Sequence, residues 1–468
     1  MRIGLIAMSG LRICKPELLE MGFSFPSVER RAREIEALPS LGLLTLAGMT
    51  PRDIDVEYLE VRDVDDEEVA SRFDAVAIST LTATSKEGYR LATRFREAGT
   101  TVIMGGLHVT LRPAEAATFA DAIVVGEGEL VWPRLIDDLR RGRLERVYDA
   151  RRMGPFDLSR APMPRFELLA PDRYPRFGVQ TQRGCPWSCE FCASSIRLSP
   201  TFRVKPVDKV IDEIRRLKEL FRRPFIEFAD DNTFVNRKHS KNLMRALAGE
   251  GVRWFAETDL SVADDEELLA MMRDAGCSQV LIGFESPSYD ALDGVEMNSN
   301  WKARKIGKYL RAVERVQRHG ITVNGCFILG MDGTGRESFA DVARFVRDSG
   351  LYDVQITFLT PFPGTPLYAR LLDAGRILEP NATERCTLFD INFRPEWMSV
   401  SELEEGFMRL AALLYADSAA LQRSRRFRAH MKAGVMSRRT TNRTADRDGV
   451  RPAKPDQRRD RPASARAS

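Results

Sequence analysis

The 468-residue sequence predicts an α/β protein built in two parts, a doubly wound parallel sheet followed by a second run of strand–helix units, with a helical C-terminal extension. Three observations carry this. Short apolar runs alternate with helix-length amphipathic stretches over the first third, the alternation resumes after residue 176, and a proline-rich stretch divides the two. Apolar strands spaced by helices indicate parallel sheets covered on both faces.

In the first third the apolar runs are 3–8, 54–59, 75–79, 101–104 and 122–125. In such sheets, ligands bind beyond the carboxyl ends of the strands. Those ends here are Ser79-Thr-Leu-Thr82, Gly105-Gly-Leu-His-Val-Thr110 and Gly126-Glu-Gly-Glu129. Small hydroxyl and glycine residues let a large planar or phosphate-bearing ligand approach the backbone. Tight strand-to-helix turns explain glycines equally well, and a lone His108 near a turn is more often a hydrogen-bonding residue than a metal ligand.

Residues 150–176 contain five prolines and little periodicity, which reads as an extended linker. Beyond it, Arg183-Gly-Cys-Pro-Trp-Ser-Cys-Glu-Phe-Cys192 places Cys185, Cys189 and Cys192 in a C-x-x-x-C-x-x-C array. Thiolates suit zinc and iron–sulfur clusters, both of which normally take four ligands. Three cysteines on a four-iron cluster leave one iron open for a second molecule. The spacing i, i+4, i+7 also fits three core cysteines on one helix face, but Gly184 and Pro186 disfavour a helix interior. A zinc site would need a distant cysteine or an acidic side chain as its fourth ligand.

After the array, helix and strand patterns alternate: 207–221 and 224–229, 238–248 and 252–258, 265–275 and 279–284, 302–318 and 322–329, 338–348 and 353–358. With the strand before the cysteines this makes six strand–helix units. Their strand ends carry Asp230-Asp-Asn232, Glu257-Thr-Asp259, Gly283-Phe-Glu-Ser286 and Gly330-Met-Asp332, groups that suit a ribose diol or an ammonium and that equally cap helices. Thr360-Pro-Phe-Pro-Gly-Thr-Pro-Leu-Tyr368 ends the run in a stiff turn. Ser401-Glu-Leu-Glu404 has capping-box spacing, followed by the apolar stripe Leu403, Phe407, Leu410, Ala411 and Leu414.

Composition narrows the class. Hydrophobic content of 43% and charged content of 29% are those of a globular chain, with no apolar run long enough to cross a bilayer. The seven cysteines are odd in number and scattered outside the array, which argues for the reducing cytoplasm rather than a disulfide framework. The net charge of +4 conceals a basic end: residues 423–468 hold fifteen Lys and Arg against four Asp, leaving the remaining body at −7. Nucleic acid is therefore not the expected partner, and the last residues read as a solvated, disordered tail.

The cysteine array, with Phe191 before its last cysteine, resembles the signature of the radical S-adenosylmethionine (radical SAM) enzymes. The three strand-end loops of the first third resemble the cobalamin-binding domain that precedes the catalytic domain in one subgroup of that family. The resemblance implies a Rossmann-like cobalamin-binding domain (1–149), a linker (150–176), a partial (β/α)6 radical SAM barrel (177–375), a mainly helical extension (376–434) and a basic disordered tail (435–468). It implies three cofactors: a 4Fe-4S cluster on Cys185, Cys189 and Cys192; S-adenosylmethionine near Phe191, Asp231, Glu257 and Glu285; and cobalamin near Ser79, Thr80, Thr82, Gly105, Gly106, His108, Gly126 and Glu127. The Asp-x-His-x-x-Gly motif that supplies cobalt with a histidine elsewhere is absent, which equally allows a domain that has kept the fold and lost the cofactor.

The function so implied is reductive cleavage of S-adenosylmethionine to a 5′-deoxyadenosyl radical and cobalamin-dependent methylation of an unactivated carbon. The substrate is expected to be a small molecule or natural product, and the electron donor a flavodoxin or ferredoxin. Radical rearrangement or cyclisation uses the same parts. A methylthiotransferase would be expected to carry three further cysteines in the first third, where only Cys14 stands. A non-catalytic iron–sulfur protein would leave the acidic strand ends unexplained.

Overall fold

The computed structural model describes residues 1–10, 13–15, 17, 38–65, 72–194 and 201–447, the last eleven of these by backbone alone. Its first part runs β1 (Arg2–Met8), α1 (Leu41–Met49), β2 (Asp55–Val61), β3 (Ala75–Ser79), α2 (Ser85–Glu97), β4 (Thr101–Gly105), α3 (Leu107–Leu111), α4 (Pro113–Ala116), β5 (Ala122–Val125), α5 (Trp132–Arg140) and β6 (Val147–Asp149). The strands form one parallel sheet in the order β2-β1-β3-β4-β5-β6.

Alternate side chains of each strand serve different cores. On one face Ile3, Leu5, Ala75, Ala77 and Ile103 pack with Leu43 and Leu44 of α1 and with Trp132 and Leu135 of α5. On the other, Ile6, Val76, Ile78, Val102 and Met104 pack with Tyr89, Leu91 and Phe95 of α2. This double covering is why the strands read as continuous apolar runs. The strand order reverses between β1 and β3, which opens a crevice at their carboxyl ends beside Ser79 to Thr82.

The second part runs β7 (Phe177–Val179), β8 (Gln182–Arg183), β9 (Arg203–Val204), α6 (Val207–Leu220), β10 (Phe225–Phe228), α7 (Arg237–Leu247), β11 (Arg253–Thr258), α8 (Glu266–Asp274), β12 (Cys277–Glu285), α9 (Tyr289–Leu292), α10 (Trp301–Lys305), α11 (Tyr309–Arg318), β13 (Thr322–Leu329), α12 (Glu337–Ser349) and β14 (Asp353–Phe358). Six of these strands form a parallel sheet in the order β14-β13-β12-β11-β10-β7, the open (β/α)6 arrangement the sequence predicts. The remaining two, β8 and β9, make an antiparallel pair at the feet of the cysteine loop.

The stretch between the two parts is packed rather than loose. Arg165 N–H donates to Leu44 O of α1, a Cβ on Gly48 would lie 2.3 Å from Met163 O, and Phe166, Leu169 and Tyr174 are buried in the core that both parts share. That core begins on the α1/α5 face of the first sheet and continues through the barrel, so the two parts are docked on a common apolar interior.

The extension comprises α13 (Pro366–Asp373), α14 (Val400–Tyr415) and α15 (Asp417–Arg447). The capping box of α14 is Ser399 with Glu402, not Ser401 with Glu404. Both serines have a glutamate three residues on, and closure at Ser399 adds Val400 and Ser401 to the helix. The predicted stripe Leu403, Phe407, Leu410, Ala411 and Leu414 is buried. Helix α15 continues to Arg447, well into the stretch expected to be disordered; no proline occurs between Pro395 and Pro452, and Gly434 seats the helix against Arg318 O of α11. Residues 448–468 lie outside the described part. Among the described residues no helix is long and apolar enough to cross a membrane.

Candidate active site

Gly184, at φ +81, turns the chain from β8 into the cysteine loop, a conformation that favours glycine. Its N–H donates to Asp231 Oδ2 at 3.1 Å, and Ser194 Oγ donates to the other oxygen of the same carboxylate. Asp231 therefore ties the two ends of the loop together.

Its neighbours divide the remaining work. Asp230, fully enclosed, accepts from Thr181 N at 2.7 Å, from Thr181 Oγ1 and from Gln182 N at 3.0 Å, fixing the chain just before the loop. Burial raises its carboxyl to about 6 against the pull of these bonds. Asn232 Nδ2 reaches Cys185 Sγ at 3.8 Å and Asp259 Oδ2 at 2.8 Å. Asp259 also accepts from Trp187 Nε1 (2.9 Å) and Ser261 N (2.7 Å). Burial opposes its charge, but these donors win and hold its pKa below the ordinary value.

The far side of the loop is zipped to residues 295–298. Ser188 N donates to Glu296 Oε1 at 3.3 Å, Met297 N to Ser188 O at 3.1 Å and Glu190 N to Val295 O at 2.9 Å. Trp187 packs at a tilt against Trp301, 4.5 Å between ring centres. Phe191 is half-buried against the main core.

Beneath Cys189, Lys302 forms a buried ion pair with Glu285 and donates to Gly283 O at 3.1 Å. Glu285 sits at φ +60, where the register slips at the end of β12. A non-glycine residue held there marks local strain that its surroundings must support. Glu257, at the end of β11, is exposed. Of the three carboxylates expected near the sulfonium cofactor, Asp231 is engaged by the cysteine loop and Glu285 by Lys302.

Burial pushes the Cys185 thiol up to about 11 and the Cys189 thiol up to about 12, with Cys192 an electrostatic neighbour of both. Among the described residues no three His, Cys, Asp or Glu side chains converge as ligands of one ion. Three thiols carried by one loop are soft donors of the kind an iron–sulfur cluster takes.

In the first part, Thr80 and Thr82 are almost wholly buried beside the crevice, and among the described residues neither hydroxyl has a partner. Ser79 is half-buried, and Leu81 between the two threonines is 59% exposed, an apolar rim to the crevice. Two orphaned hydroxyls and an apolar rim fit a large, partly polar planar ligand. The glycines answer to the chain itself: a Cβ on Gly106 would lie 2.8 Å from Thr80 O, and Gly126 faces Arg151, while Gly105 meets only Val124. His108 is completely buried, 6.0 Å from the Tyr89 ring and 3.5 Å from Glu115, so its side chain belongs to the core. Glu127 crosses to the second part. Its Oε1 accepts from Arg183 Nη1 (2.7 Å) and Arg203 Nη2 (2.8 Å), its Oε2 from Arg203 Nη1 (2.9 Å) and Phe156 N (2.8 Å), and Glu129 takes the other Arg183 nitrogen at 2.7 Å. The crevice loop and the root of the cysteine loop are thus one ionic network.

Residues 179–346 match the Radical SAM superfamily and residues 36–136 the B12 binding domain. The chain belongs to the radical SAM enzymes that carry a B12-binding domain. For this radical SAM enzyme the family's cofactors are a 4Fe-4S cluster, S-adenosylmethionine and cobalamin. Residues 365–451 match a domain of unknown function, DUF4070. The chain is 29% identical over 389 residues to bacteriochlorophyllide d C-12(1)-methyltransferase of Chlorobaculum tepidum, covering 82% of this chain and 84% of that one. It is 26% identical over 352 residues to the anaerobic magnesium-protoporphyrin IX monomethyl ester cyclase of Rubrivivax gelatinosus, covering 66% and 62%. The fold is shared with the radical SAM methyltransferase TsrM of Kitasatospora setae, solved with cobalamin and a 4Fe-4S cluster bound, at a TM-score of 0.63 and 17% identity over 89% and 88% of the two chains.

The sequence points to Cys185, Cys189, Cys192 and the acidic strand ends, but not to Lys302, Glu296 or the arginine partners of Glu127. Glu296 and Lys302 lie far along the chain from the loop, and Arg183, although it opens the cysteine motif, carries no sign in sequence of its partner Glu127, so only the fold reveals these contacts. Asp259 and Asn232 stand in the strand-end motifs and are legible there.

Proposed function

We propose that the enzyme methylates an unactivated carbon of a small molecule or natural product. Cys185, Cys189 and Cys192 hold the cluster, and the crevice beside Thr80, Leu81 and Thr82 holds cobalamin. One observation carries the reading: the three-thiol loop is rooted, through Arg183, in the same ionic network as the crevice loop Gly126 to Glu129. When bound, the cluster supplies the electron that cleaves S-adenosylmethionine, and cobalamin carries the methyl group.

The chain's own residues set position and exclude water. Asp231 and Asn232 fix the loop from below, Trp187 and Trp301 wall one side, and Glu257 at the barrel mouth is placed to accept from a ribose or an ammonium. Glu285 with Lys302 supports the rim of that site. The methyltransferase relative supports the reaction class, an electron donor of the flavodoxin or ferredoxin type supplies the reductant, and the cytoplasm suits the cluster. The domain limits at 149, 176 and 375 belong to the same reading.

Cyclisation without methyl transfer is the second reading, favoured by the cyclase among the relatives. Anaerobic incubation of the reconstituted enzyme with methyl-deuterated S-adenosylmethionine, reductant and candidate tetrapyrrole or isoprenoid substrates separates the two. Deuterated methyl in product with 5′-deoxyadenosine supports methylation. A product that gains a ring and no deuterium, or no cleavage of S-adenosylmethionine at all, contradicts it.

A further inference from the structure

Glu190, between Cys189 and Phe191, is held at three points. Its N–H donates to Val295 O at 2.9 Å, its carbonyl accepts from Leu367 N at 3.1 Å, and its carboxylate receives Arg370 side-on, from Nη2 at 2.7 Å and Nε at 3.1 Å. The remaining Arg370 nitrogen goes to Asp332, which Arg376 grips with two further bonds of 2.6 and 3.1 Å. Two carboxylates and two guanidinium groups therefore balance at the edge of the cysteine loop, one of each in the loop's direct contact. Bidentate arginine–carboxylate geometry is both strong and directional.

Thirteen residues after Arg370, the same segment reaches the other cofactor loop. Thr383 Oγ1 lies 2.9 Å from Ser85 Oγ, and Ser85, fully buried, donates to Thr82 O at 2.9 Å. Lys86 pairs with Glu384 at 2.6 Å, and Asp390 accepts from Cys14 N at 3.0 Å. Ser85 begins α2 directly after the crevice rim, so Thr383 stands one hydroxyl away from the loop of Thr80 and Thr82.

We propose that residues 366–394, inside the match to the domain of unknown function, form a positioning strap that holds the cysteine loop through Arg370 and Glu190 and the crevice rim through Thr383 and Ser85. This rests on the function proposed above, since a methyl transfer between two bound cofactors needs the two loops in one register. Arg370 also offsets the Glu190 charge next to the loop. Without it, an unbalanced carboxylate opposes the arrival of an electron there.

The test uses the full-length reconstituted enzyme and a redox titration followed by electron paramagnetic resonance of the reduced cluster. Arg370→Gln is expected to retain iron but shift the midpoint to lower potential, cutting the reduced fraction at a fixed poise on the order of tenfold. Arg370→Lys, which restores the charge, and the double variant Glu190→Gln with Arg370→Gln, which removes both, are expected to return near the wild-type midpoint. Thr383→Val is expected to leave the midpoint unchanged and broaden the cobalt-to-cluster distance measured by pulsed dipolar resonance. An unchanged midpoint in Arg370→Gln, or an unchanged distance in Thr383→Val, overturns the strap. If the wild type binds neither iron nor cobalt, the proposed function fails separately, and hydrogen exchange on the apo chain decides the strap. Faster exchange over 184–194 in Arg370→Gln and over 80–85 in Thr383→Val upholds it, and unchanged exchange overturns it.

Discussion

At the scale of single residues, the loop is supported by groups whose charges are costly to expose. Lys302 and Glu285 are each about nine-tenths buried, so neither tolerates the loss of the other. Lys302→Met should cost about 3–5 kcal/mol because it leaves Glu285 buried and unpaired, and adding Glu285→Gln should recover most of that loss. Urea unfolding of the apo protein measures both. Asp230 gives a pH signature. Its folded-state pKa of about 6 lies above the ordinary aspartate value of about 3.9, so the folded chain binds this proton more tightly. The stability of the wild type relative to Asp230→Asn should therefore be greatest below about pH 4, fall as pH rises to about 6 and stay level above. Parallel stability curves for the two proteins would contradict that assignment. The Asp230-Asp-Asn232 motif is visible in the sequence as a polar strand end, but its division of labour is not. Three adjacent polar residues point three ways only because β10 ends where the cysteine loop begins.

At the scale of elements, β1, β3 and β5 were legible because they are buried almost end to end between two helical layers, whereas the second sheet's strands alternate buried and partly exposed residues and were legible from their spacing by helices. β6 escapes that logic. It is a three-residue edge strand set among charged residues, and nothing in Val147–Asp149 distinguishes it from a loop. The 150–176 stretch reads as linker from its prolines, yet Phe166, Leu169 and Tyr174 are anchors, spaced too irregularly to show a period. Helix α15, tied at its start by Arg423, Arg426 and Phe427, makes its closest backbone approach further along, at Gly434. A Cβ on Gly434 would lie 2.0 Å from Arg318 O, a backbone atom that cannot turn aside. Gly434→Ala is expected to cost about 1–3 kcal/mol of docking energy, read as faster hydrogen exchange over 431–447 with the barrel strands unchanged. Equal exchange in both proteins would show that α15 does not depend on this contact.

At the scale of the whole molecule, the two sheets share one apolar core and are fastened across it by Glu127, Arg183, Arg203 and Glu129. Glu127→Ala would leave two mostly buried guanidinium groups short of an acceptor and open the interface without unfolding either sheet. Limited proteolysis should then cut between 150 and 176 several-fold faster than in the wild type. An unchanged rate would mean that the apolar core alone holds the two parts. Gly106 and Gly126, after the ends of β4 and β5, take positive φ in the turns at the carboxyl edge of the first sheet, a backbone need that the sequence cannot separate from a ligand's. Thr80 and Thr82 stand in the strand-end loop that the sequence singles out, and burial adds that their hydroxyls lie enclosed beside the crevice. The proposed reaction needs two cofactors in one chain. The most direct test is anaerobic reconstitution with iron, sulfide and hydroxocobalamin, followed by iron and cobalt analysis of the wild type and of the triple variant with Cys185, Cys189 and Cys192 changed to Ala. The expected result is about four irons and one cobalt per chain, with the iron lost and the cobalt kept in the variant. Iron that survives loss of the three cysteines, or a wild type that takes up no cobalt, would contradict it.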